Sequence, residues 1–417
     1  MKILHITPHL GGGVGRVILN WVCTDKSNVH TVITLDFANE EAMSKCSSES
    51  ISLFSQQSVS CINKNVEKSD IVIIHFWNHP LLYDLIMNNS LPPSRLVFWS
   101  HISGFHPPYV IPSKILSYPD LFVFSSKISY SVKTVKEFPY KDKLDYVLST
   151  GGIDWINDLK PKQHVGFNVG YIGTVDYSKM HPDFIKMSKL VRIPDIRFTI
   201  LGGNNEKEIA ENAPSNFRFV GKVDDIKPFL AEFDVFGYPL NPNHFGTAEQ
   251  VIQEAMSVGV VPVVMNNPAE CELVSHMDTG LISDSPDEYA RNIELLYHDV
   301  SLRIRLSENA KKYAQKEFSL VGALNSWKSI YSRISKKEKS IHIFSPNKSK
   351  WTQFELFLES IDGYDKPFRD YAYGNDFSSL KKMLTQSEWT SNSKGTPKQY
   401  LTFFNDKYLQ KISELYI

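Results

Sequence analysis

The sequence is poor in several features that define common protein classes. Its four cysteines are scattered through 417 residues, without a Cys-x-x-Cys motif, so we expect neither a disulfide framework nor a structural zinc site. No apolar run reaches the roughly 20 residues of a membrane span, and MKILHITPHLGGG lacks the form of a signal peptide. A formal net charge of −1 argues against a dedicated nucleic-acid binder. We therefore expect a soluble, cytoplasmic protein with reduced thiols.

Motifs for metal binding are also missing from the sequence. It contains no Asp-x-Asp, and its His, Cys and Asp residues do not have the spacing of metal ligands. We therefore expect no metal and no cofactor. Any phosphate group would be bound by backbone amides, helix amino termini and Lys or Arg side chains.

Short apolar runs alternate with helix-like segments through most of the chain. The runs before residue 150 are KILHI, HTVITL, IVIIHF, RLVFWS and LFVFS, and those after residue 165 are VGYIG, RFTILG, FRFVG, DVFGYPL and GVVPVV. This alternation predicts an α/β protein with doubly wound parallel sheets, whose ligands lie beyond the carboxyl ends of the strands. Because the series restarts after a polar stretch, we place a boundary between Asp158 and Gly166. Two Rossmann-like domains would then face each other across a cleft.

The predicted organisation has four segments. Residues 1–160 and 161–320 form the two Rossmann-like domains. Residues 321–340 form a helix that returns toward the N-terminal domain, because apolar side chains around Trp327 repeat at helical spacing. Residues 341–417 are aromatic-rich and polar, and we expect a C-terminal helical extension that covers one of the domains.

The segment HFGTAEQVIQEAMSVGVVPVV combines a helix signal with a strand signal. Thr247 and Gln250 fit a capping box, which predicts a helix from Ala248, and VVPVV predicts a buried strand after it. Helical spacing places Glu249 and Glu254 near opposite borders of a polar, wet face, too far apart for a carboxylate pair. Taken alone, the segment is typical of an ordinary amphipathic surface helix.

Glycines follow the first predicted strand in ITPHLGGGVGRVILNWV. Gly12 and Gly13 would let a ligand approach the backbone, and the helix amino terminus would attract an anion. One alternative is a dinucleotide fingerprint with Asp36 as its acidic residue, although Arg16 occupies the place of the third glycine. The other alternative is a purely structural turn.

Two further strand ends carry polar side chains. His101 follows the buried run in RLVFWSHISG, where it would either line a ligand site or be satisfied within a loop. Gly173, Thr174 and Lys179 follow the strand in GYIGTVDYSKMHPDF. Lys179 could bind a phosphate as a point charge or be a surface lysine.

The ordered set of motifs resembles a known family. GGGVGR, SHISG, LSTGGID, GYIGTVDYSK, FRFVGKVDD, FDVFGYPL, EQVIQEAMSVGVVPVV and NNPAECELVSHMDTGL occur in the order found in retaining GT-B glycosyltransferases of family 4, the group 1 glycosyl transferases. The resemblance spans about residues 1–334 and is most specific over residues 170–281. It implies an acceptor domain in the first half and a nucleotide-sugar donor domain in the second.

The resemblance also implies roles for particular residues. Glu254 would hold the donor ribose, Lys179 would pair with phosphate, and His101 would line the transferred sugar. The amides at the start of the helix, at residues 248–250, would meet the diphosphate, and the N-terminal glycine loop would close on the donor. The expected catalytic residues are His101 and Glu249, and the expected donor-binding residues are Gly12, Gly13, Arg16, Gly173, Thr174, Lys179, Thr247, Ala248, Gln250 and Glu254.

Two positions depart from the family pattern. Gly246 stands where the family usually has a glutamate, and Glu249 would have to supply the missing sugar contacts. Thr174 stands near the place of the family's phosphate arginine, and either Arg16 or Arg218 could replace it.

The expected function is therefore a retaining, metal-independent, hexosyltransferase-like activity. It would move a sugar from a nucleotide diphosphate sugar to a glycan or lipid-linked acceptor hydroxyl, in surface polysaccharide or glycan assembly. The alternatives are a non-catalytic GT-B partner subunit, or an epimerase or phosphorylase of the same fold. The lysines within residues 336–350 indicate either weak peripheral contact with an anionic membrane, at its inner face, or a solvated linker.

Overall fold

The computed structural model describes residues 1–203, 206–374, 377–390 and 394–416. Contacts divide the chain into unit 1, which comprises Met1–Gly151 and Ala323–Ile417, and unit 2, which comprises Gly152–Gly322. The chain therefore passes from unit 1 to unit 2 just before the polar stretch that suggested a boundary, and it returns to unit 1 at Ala323.

Unit 1 contains a parallel sheet with the strand order β3-β2-β1-β4-β5-β6-β7. Its strands are β1 (Lys2–Thr7), β2 (Val29–Thr34), β3 (Ser52–Ser55), β4 (Ile71–Phe76), β5 (Leu96–Ser100), β6 (Leu121–Phe124) and β7 (Leu144–Tyr146). Strands β4, β5 and β6 are buried along their whole length, as expected for apolar runs covered on both faces. The strand order reverses between β1 and β4, which is where doubly wound sheets bind ligands.

Several of the helices between these strands begin at a residue whose side chain caps the amino terminus. They are α1 (Gly12–Thr24), α2 (Glu40–Ser48), α3 (Val59–Lys68), α4 (Pro80–Asn88), α5 (Ser113–Ser117) and α6 (Lys133–Glu137). The side chain of Asn39 caps α2 and that of Ser58 caps α3. Helix α1 has only Gly11 at its N-cap, without a side-chain hydrogen bond.

Unit 2 contains a second parallel sheet, with the order β10-β9-β8-β11-β12-β13. Its strands are β8 (Phe167–Ile172), β9 (Ile196–Leu201), β10 (Phe217–Gly221), β11 (Val235–Tyr238), β12 (Val261–Met265) and β13 (Leu281–Ser283). Its helices are α7 (Phe184–Ser188), α8 (Glu206–Ala210), α9 (Lys227–Leu230), α10 (Gln250–Ser257), α11 (Pro268–Leu273), α12 (Pro286–His298) and α13 (Val300–Glu317). The reversal of strand order lies between β8 and β11.

The chain then returns to unit 1 through α14 (Leu320–Ile334). In this helix Trp327 is buried, stacked on Trp21 at a ring-centroid distance of 4.4 Å and edge-on to Trp99 at 5.2 Å. The helices that follow are α15 (Gln353–Ser360), α16 (Lys366–Gly374), α17 (Ser378–Met383), α18 (Ser387–Thr390), α19 (Pro397–Phe403) and α20 (Lys407–Ser413). Helices α15 and α19 of this extension contact α4. The Asn78 side-chain amide, just before α4, donates to the Ser360 carbonyl at 2.9 Å.

Within the described part of the chain, none of the helices is both long enough and apolar enough to cross a membrane.

Candidate functional site

The carboxyl ends of β8 and β11 bring glycines and tyrosines together in unit 2. A Cβ on Gly173 would lie 3.1 Å from the Tyr238 hydroxyl and 3.3 Å from the Tyr171 hydroxyl. Gly202 has a φ of +126°, and a Cβ there would overlap the Gly173 carbonyl. Only glycines permit this close approach of the ends of β8 and β9. The Tyr171 hydroxyl donates to the Thr174 carbonyl at 2.9 Å, which holds the loop after β8 against the tyrosine.

This loop presents Lys179 to a carboxylate. The backbone amide of Lys179 donates to the Asp176 carbonyl at 2.9 Å, which turns the loop back on itself. The Lys179 ammonium then lies 2.8 Å from Glu249 Oε2, and the two side chains are only 13% and 7% exposed. The Tyr238 hydroxyl donates to the same Glu249 oxygen at 2.9 Å. Lysine, tyrosine and carboxylate thus form one buried cluster beyond the ends of β8 and β11.

The cluster keeps Glu249 ionised despite its burial. Burial alone would raise the pKa of this carboxyl, but the charge of Lys179 and the hydrogen bonds from Lys179 and Tyr238 lower the pKa below its ordinary value. In turn, burial and the Glu249 charge raise the pKa of Tyr238 well above its ordinary value, so the phenol remains a hydrogen-bond donor.

A second buried pair supports the segment that leads into α10. The Gly246 amide donates to His244 Nδ1 at 2.9 Å, so His244 Nε2 carries the proton that it shares with Glu270 Oε2 at 3.2 Å. Glu270 is fully buried, and Asn267 lies 3.5 Å from its other oxygen. A Cβ on Gly246 would overlap the Glu249 carboxylate and would come within 2.7 Å of the His244 ring. The absence of a side chain at position 246 is therefore what leaves room for Glu249.

The predicted start of α10 is wrong. The helix begins at Gln250, with Glu249 as the N-cap and without a side-chain capping bond, so Thr247 and Ala248 precede it. The capping box fails because it needs Gln250 as the third helical residue, whereas Gln250 is the first. Of the predicted diphosphate-binding amides, only that of Gln250 belongs to the helix.

The prediction of a wet face on α10 is also wrong. On that face Gln253 is 1% exposed, Glu254 is 2% exposed and Ser257 is fully buried. Helix α10 contacts α13 as well as β12, so it is covered on more sides than the periodicity of one segment can show. Glu254 is therefore a buried carboxyl, not a residue on a wet border.

The other predicted site residues lie in unit 1. His101 follows β5, is 4% exposed, and its Nε2 lies 3.0 Å from His75 Nδ1. Burial, with a smaller effect of Lys394, lowers the pKa of His101 to about 3. Gly12 and Gly13 form the first turn of α1 rather than a loop, and Arg16 follows them in the same helix.

Arg218, the other candidate for the missing arginine, lies in unit 2 on β10. Its guanidinium group is 5.9 Å from the centre of the Phe229 ring. Strand β10 is at the edge of the sheet, with β9 between it and β8.

Sequence reasoning missed Tyr238, His244 and Glu270. The signal for Tyr238 was present, because it ends the apolar run DVFGYPL and the rule that singled out His101 applies to it equally. No local pattern identifies His244 and Glu270, which are 26 residues apart and meet only in the fold.

Comparison with known proteins covers the region that contains this site. Residues 160–313 match the family model "Glycosyl transferases group 1". The match covers nearly all of unit 2, including the Lys179 loop and α10.

Curated relatives share part of the same region. The lipopolysaccharide core biosynthesis glycosyltransferase LpsE of Rhizobium meliloti (strain 1021) is 29% identical over 205 residues, which are 42% of this chain and 59% of that protein. The capsular polysaccharide biosynthesis glycosyltransferase CapM of Staphylococcus aureus is 25% identical over 198 residues, 44% of this chain and 51% of that protein. The chain thus spans about half the length of the curated relatives it matches.

Solved structures show the fold. Anabaena Alr3699/HepE in complex with UDP-glucose has a TM-score of 0.65 at 17% identity, and the match covers 80% of this chain and 100% of that one. WaaG, a glycosyltransferase involved in lipopolysaccharide biosynthesis, has a TM-score of 0.57 at 11% identity, with 79% and 99% covered. The predicted α/β class, with two Rossmann-like units of the GT-B type, is confirmed.

The buried ion pair generates a stability prediction. Replacing Lys179 with methionine keeps the length of the side chain but leaves Glu249 buried without its cation, which should lower the free energy of unfolding by about 3–5 kcal/mol at neutral pH. Without the lysine charge, burial determines the pKa of Glu249, which should rise above its value in the unfolded chain. The decrease in the free energy of unfolding should therefore become smaller at acidic pH, where the carboxyl is protonated. Urea unfolding followed by circular dichroism at neutral pH and near pH 4 measures both effects.

Two further variants complete this experiment. Lys179→Met with Glu249→Gln should recover most of the lost stability, because no charge is then buried alone. Lys186→Met removes an exposed lysine 4.0 Å from Asp183 in the same unit and should change stability by less than about 1 kcal/mol. Equal effects of the two lysine substitutions would contradict the proposed importance of the buried pair.

Proposed function

We propose that the protein is a retaining, metal-independent glycosyltransferase that moves a sugar from a nucleotide diphosphate sugar to an acceptor hydroxyl. Unit 2 would hold the donor, and the acceptor would be a glycan or lipid-linked glycan in surface polysaccharide assembly. The names of LpsE and CapM favour that context, and the UDP-glucose complex of HepE favours a UDP-sugar as the first donor to test.

The observation that carries the proposal is the Lys179–Glu249–Tyr238 cluster at the switch point of the unit 2 sheet. A diphosphate would find there a lysine, the amides at the amino terminus of α10 and the glycines that follow β8 and β9. Negative charge develops on the diphosphate when the bond to the sugar breaks, and a cation already positioned beside it stabilises that charge.

Glu249 would replace the glutamate that the resembling family has at the position of Gly246. A side chain on residue 246 and the carboxylate of Glu249 would compete for the same space. This overlap supports the idea that the carboxylate has moved along the chain by three residues while its position in the site is retained. We propose that it contacts the transferred sugar once Lys179 has turned to the diphosphate.

One observation favours a second candidate function. Lys179 is bound by Glu249, so a donor must compete with a buried carboxylate for its cation. A partner subunit that binds a nucleotide sugar or a glycan without turnover could retain such a pair. The two candidates differ in turnover, not in donor binding.

The deciding experiment combines a binding assay with a transfer assay. We expect one nucleotide sugar from a panel that begins with UDP-glucose to raise the melting temperature, and we expect release of the nucleoside diphosphate in the presence of a suitable glycan acceptor. Activity should persist in EDTA, because phosphate charge is met by protein groups. Thermal stabilisation without turnover across donors and acceptors would favour the binding subunit. Loss of activity in EDTA, with recovery in manganese or magnesium, would exclude metal independence.

Glu254 is proposed to accept hydrogen bonds from the donor ribose. Glutamine keeps the shape but provides a single acceptor oxygen, and hydrogen bonds to a charged group contribute about 1.5–3 kcal/mol. Glu254→Gln should therefore weaken donor binding by roughly ten- to a hundredfold, as measured by calorimetry.

The comparison that identifies the ribose contact uses a 2′-deoxy nucleotide. The wild type should bind it much more weakly than the parent nucleotide, whereas the Glu254→Gln variant should show a smaller difference. Glu308→Gln removes the same charge from an exposed position on α13 and should leave donor binding unchanged. If removal of the 2′-hydroxyl weakens binding by the same factor in the wild type and in Glu254→Gln, the glutamate does not contact the ribose.

Peripheral membrane contact through residues 336–350 is a secondary proposal. Lys339 donates to the Ser69 carbonyl at 2.6 Å and Lys348 pairs with Glu355 at 2.6 Å, so part of the lysine charge is already used within the protein. We therefore expect weak binding to anionic liposomes and none to neutral ones. Equal flotation with both would reject the contact.

A further inference from the structure

A row of histidines crosses the sheet of unit 1. His30, His5, His75 and His101 lie on β2, β1, β4 and directly after β5, which are neighbours in the sheet. Their rings are joined end to end: His30 Nδ1 to His5 Nε2 at 2.9 Å, His5 Nδ1 to His75 Nε2 at 3.1 Å, and His75 Nδ1 to His101 Nε2 at 3.0 Å. We call these four residues the histidine row.

The register of the parallel strands explains why the row is continuous. The row advances by two residues from each strand to the next. His30 is paired with Ile3, which is two residues before His5. In the same way, His5 is paired with Ile73, two residues before His75, and His75 is paired with Trp99, two residues before His101. A step of two keeps every ring on the same face of the sheet. The row therefore runs diagonally and ends at the carboxyl edge, beside β5.

Aromatic side chains seal the row from water. Trp21 lies edge-on to His5 at a ring-centroid distance of 4.8 Å, and the Trp99 ring lies 4.6 Å from that of His101. Trp327 of α14 packs on both tryptophans. Burial lowers the pKa of His5 and of His75 well below the ordinary value, so these imidazoles are neutral and each has one donor and one acceptor nitrogen.

A carboxylate terminates the other end of the row. His30 Nε2 lies 3.2 Å from Asp25 Oδ2, and both residues are buried. Burial alone would raise the pKa of Asp25, but hydrogen bonds from His30, Ser27 and Asn28 bring it below its ordinary value. Asp25 is therefore an ionised group that can only accept.

An acceptor at one end fixes the direction of every hydrogen bond as long as His30 carries a single proton. His30 Nε2 must donate to Asp25, which leaves His30 Nδ1 as an acceptor for His5 Nε2–H. The same argument passes through His75 to His101. We infer that Asp25, acting through His30, His5 and His75, sets the tautomer of His101, so that its Nε2 carries the proton and its Nδ1 is a hydrogen-bond acceptor. Among the described residues, this Nδ1 has no hydrogen-bond partner.

Asp25, His30, His5 and His75 thus act as positioning residues, because they determine which nitrogen of His101 carries the proton. An acceptor nitrogen that is shielded from water attracts a hydroxyl or ammonium group and repels the oxygens of a carboxylate or phosphate. This consequence rests on the proposed function, in which His101 faces the transferred sugar: the nitrogen would select a sugar hydroxyl and reject the diphosphate. The tautomer itself does not depend on that function and can be measured without a donor.

Nitrogen-15 NMR of histidine-labelled protein reads the tautomer directly, because protonated and unprotonated ring nitrogens resonate far apart. The experiment uses the full chain at an alkaline pH at which the His30 signals themselves show a singly protonated ring, since a doubly protonated His30 would reverse the row. Signals are assigned through contacts between neighbouring rings and through the signal lost in His101→Gln. We expect the Nε2–H form for all four histidines of the wild type.

Asp25→Asn tests the origin of the tautomer. The asparagine amide can donate to His30 Nε2, so the hydrogen bonds along the row could then run in the opposite direction. His101 would take the Nδ1–H form in a large share of molecules. Asp120→Asn is the matched control, because Asp120 pairs with His342 at 3.4 Å in the same unit but is outside the row. It should alter the signals of His342 and leave those of His101 unchanged.

Two results would overturn the inference. One is the Nδ1–H form of His101 in the wild type, a measurement that stands even if Asp25→Asn does not fold. The other is a folded Asp25→Asn protein, with a wild-type circular dichroism spectrum, in which the tautomer of His101 is unchanged.

Discussion

The buried ion pair between Lys179 and Glu249 is the interaction on which the candidate site depends. Burial of an ionised carboxylate that is only 7% exposed costs free energy. The Lys179 charge and the hydrogen bond from the Tyr238 hydroxyl stabilise the ionised form of Glu249. The same pair joins the loop after β8 to the N-cap residue of α10. If the site binds a diphosphate as proposed, the diphosphate must compete with Glu249 for this cation.

The topology of the sheet explains why these groups meet. Strands β8 and β11 are neighbours at the reversal of strand order, so the loops after them diverge and leave a crevice between them. Gly173 and Gly202 bring backbone close together at this edge, and Gly246 leaves space for the Glu249 carboxylate. The buried His244–Glu270 pair then fixes the backbone at Gly246. Small residues and buried charges thus act together: the glycines make room, and the charges hold the segments in place.

Much of the fold was accessible from the sequence because its signals are local. Continuous apolar runs predicted the strands, and their alternation with helical segments predicted two parallel sheets. The errors arose where tertiary contacts override a local pattern. The capping box at Thr247 failed because α10 begins only at Gln250, after Glu249, which is held by residues 70 and 11 positions away. The wet face was predicted wrongly because the pattern of one segment does not show that α13 packs against α10.

The candidate site was only partly predictable for the same reason. Lys179 and His101 stood out because strand ends at a known edge of the sheet are informative. In the sequence the four histidines of the row stand apart, one in each of KILHI, HTVITL, IVIIHF and RLVFWSHISG. Their continuity depends on strand order and register. His244 and Glu270 gave no local signal, since their pairing is created by the fold.

The affinity of Glu249→Gln for a free nucleoside diphosphate tests the central claim most directly. If Glu249 competes with the ligand for Lys179, removal of its charge should release the lysine and strengthen the binding of UDP by at least about fivefold, or roughly 1 kcal/mol, in isothermal titration calorimetry. The gain should disappear when Lys179→Met is added. An unchanged or weaker affinity of Glu249→Gln for UDP, and for the other nucleoside diphosphates, would contradict the claim that this ion pair guards a diphosphate site.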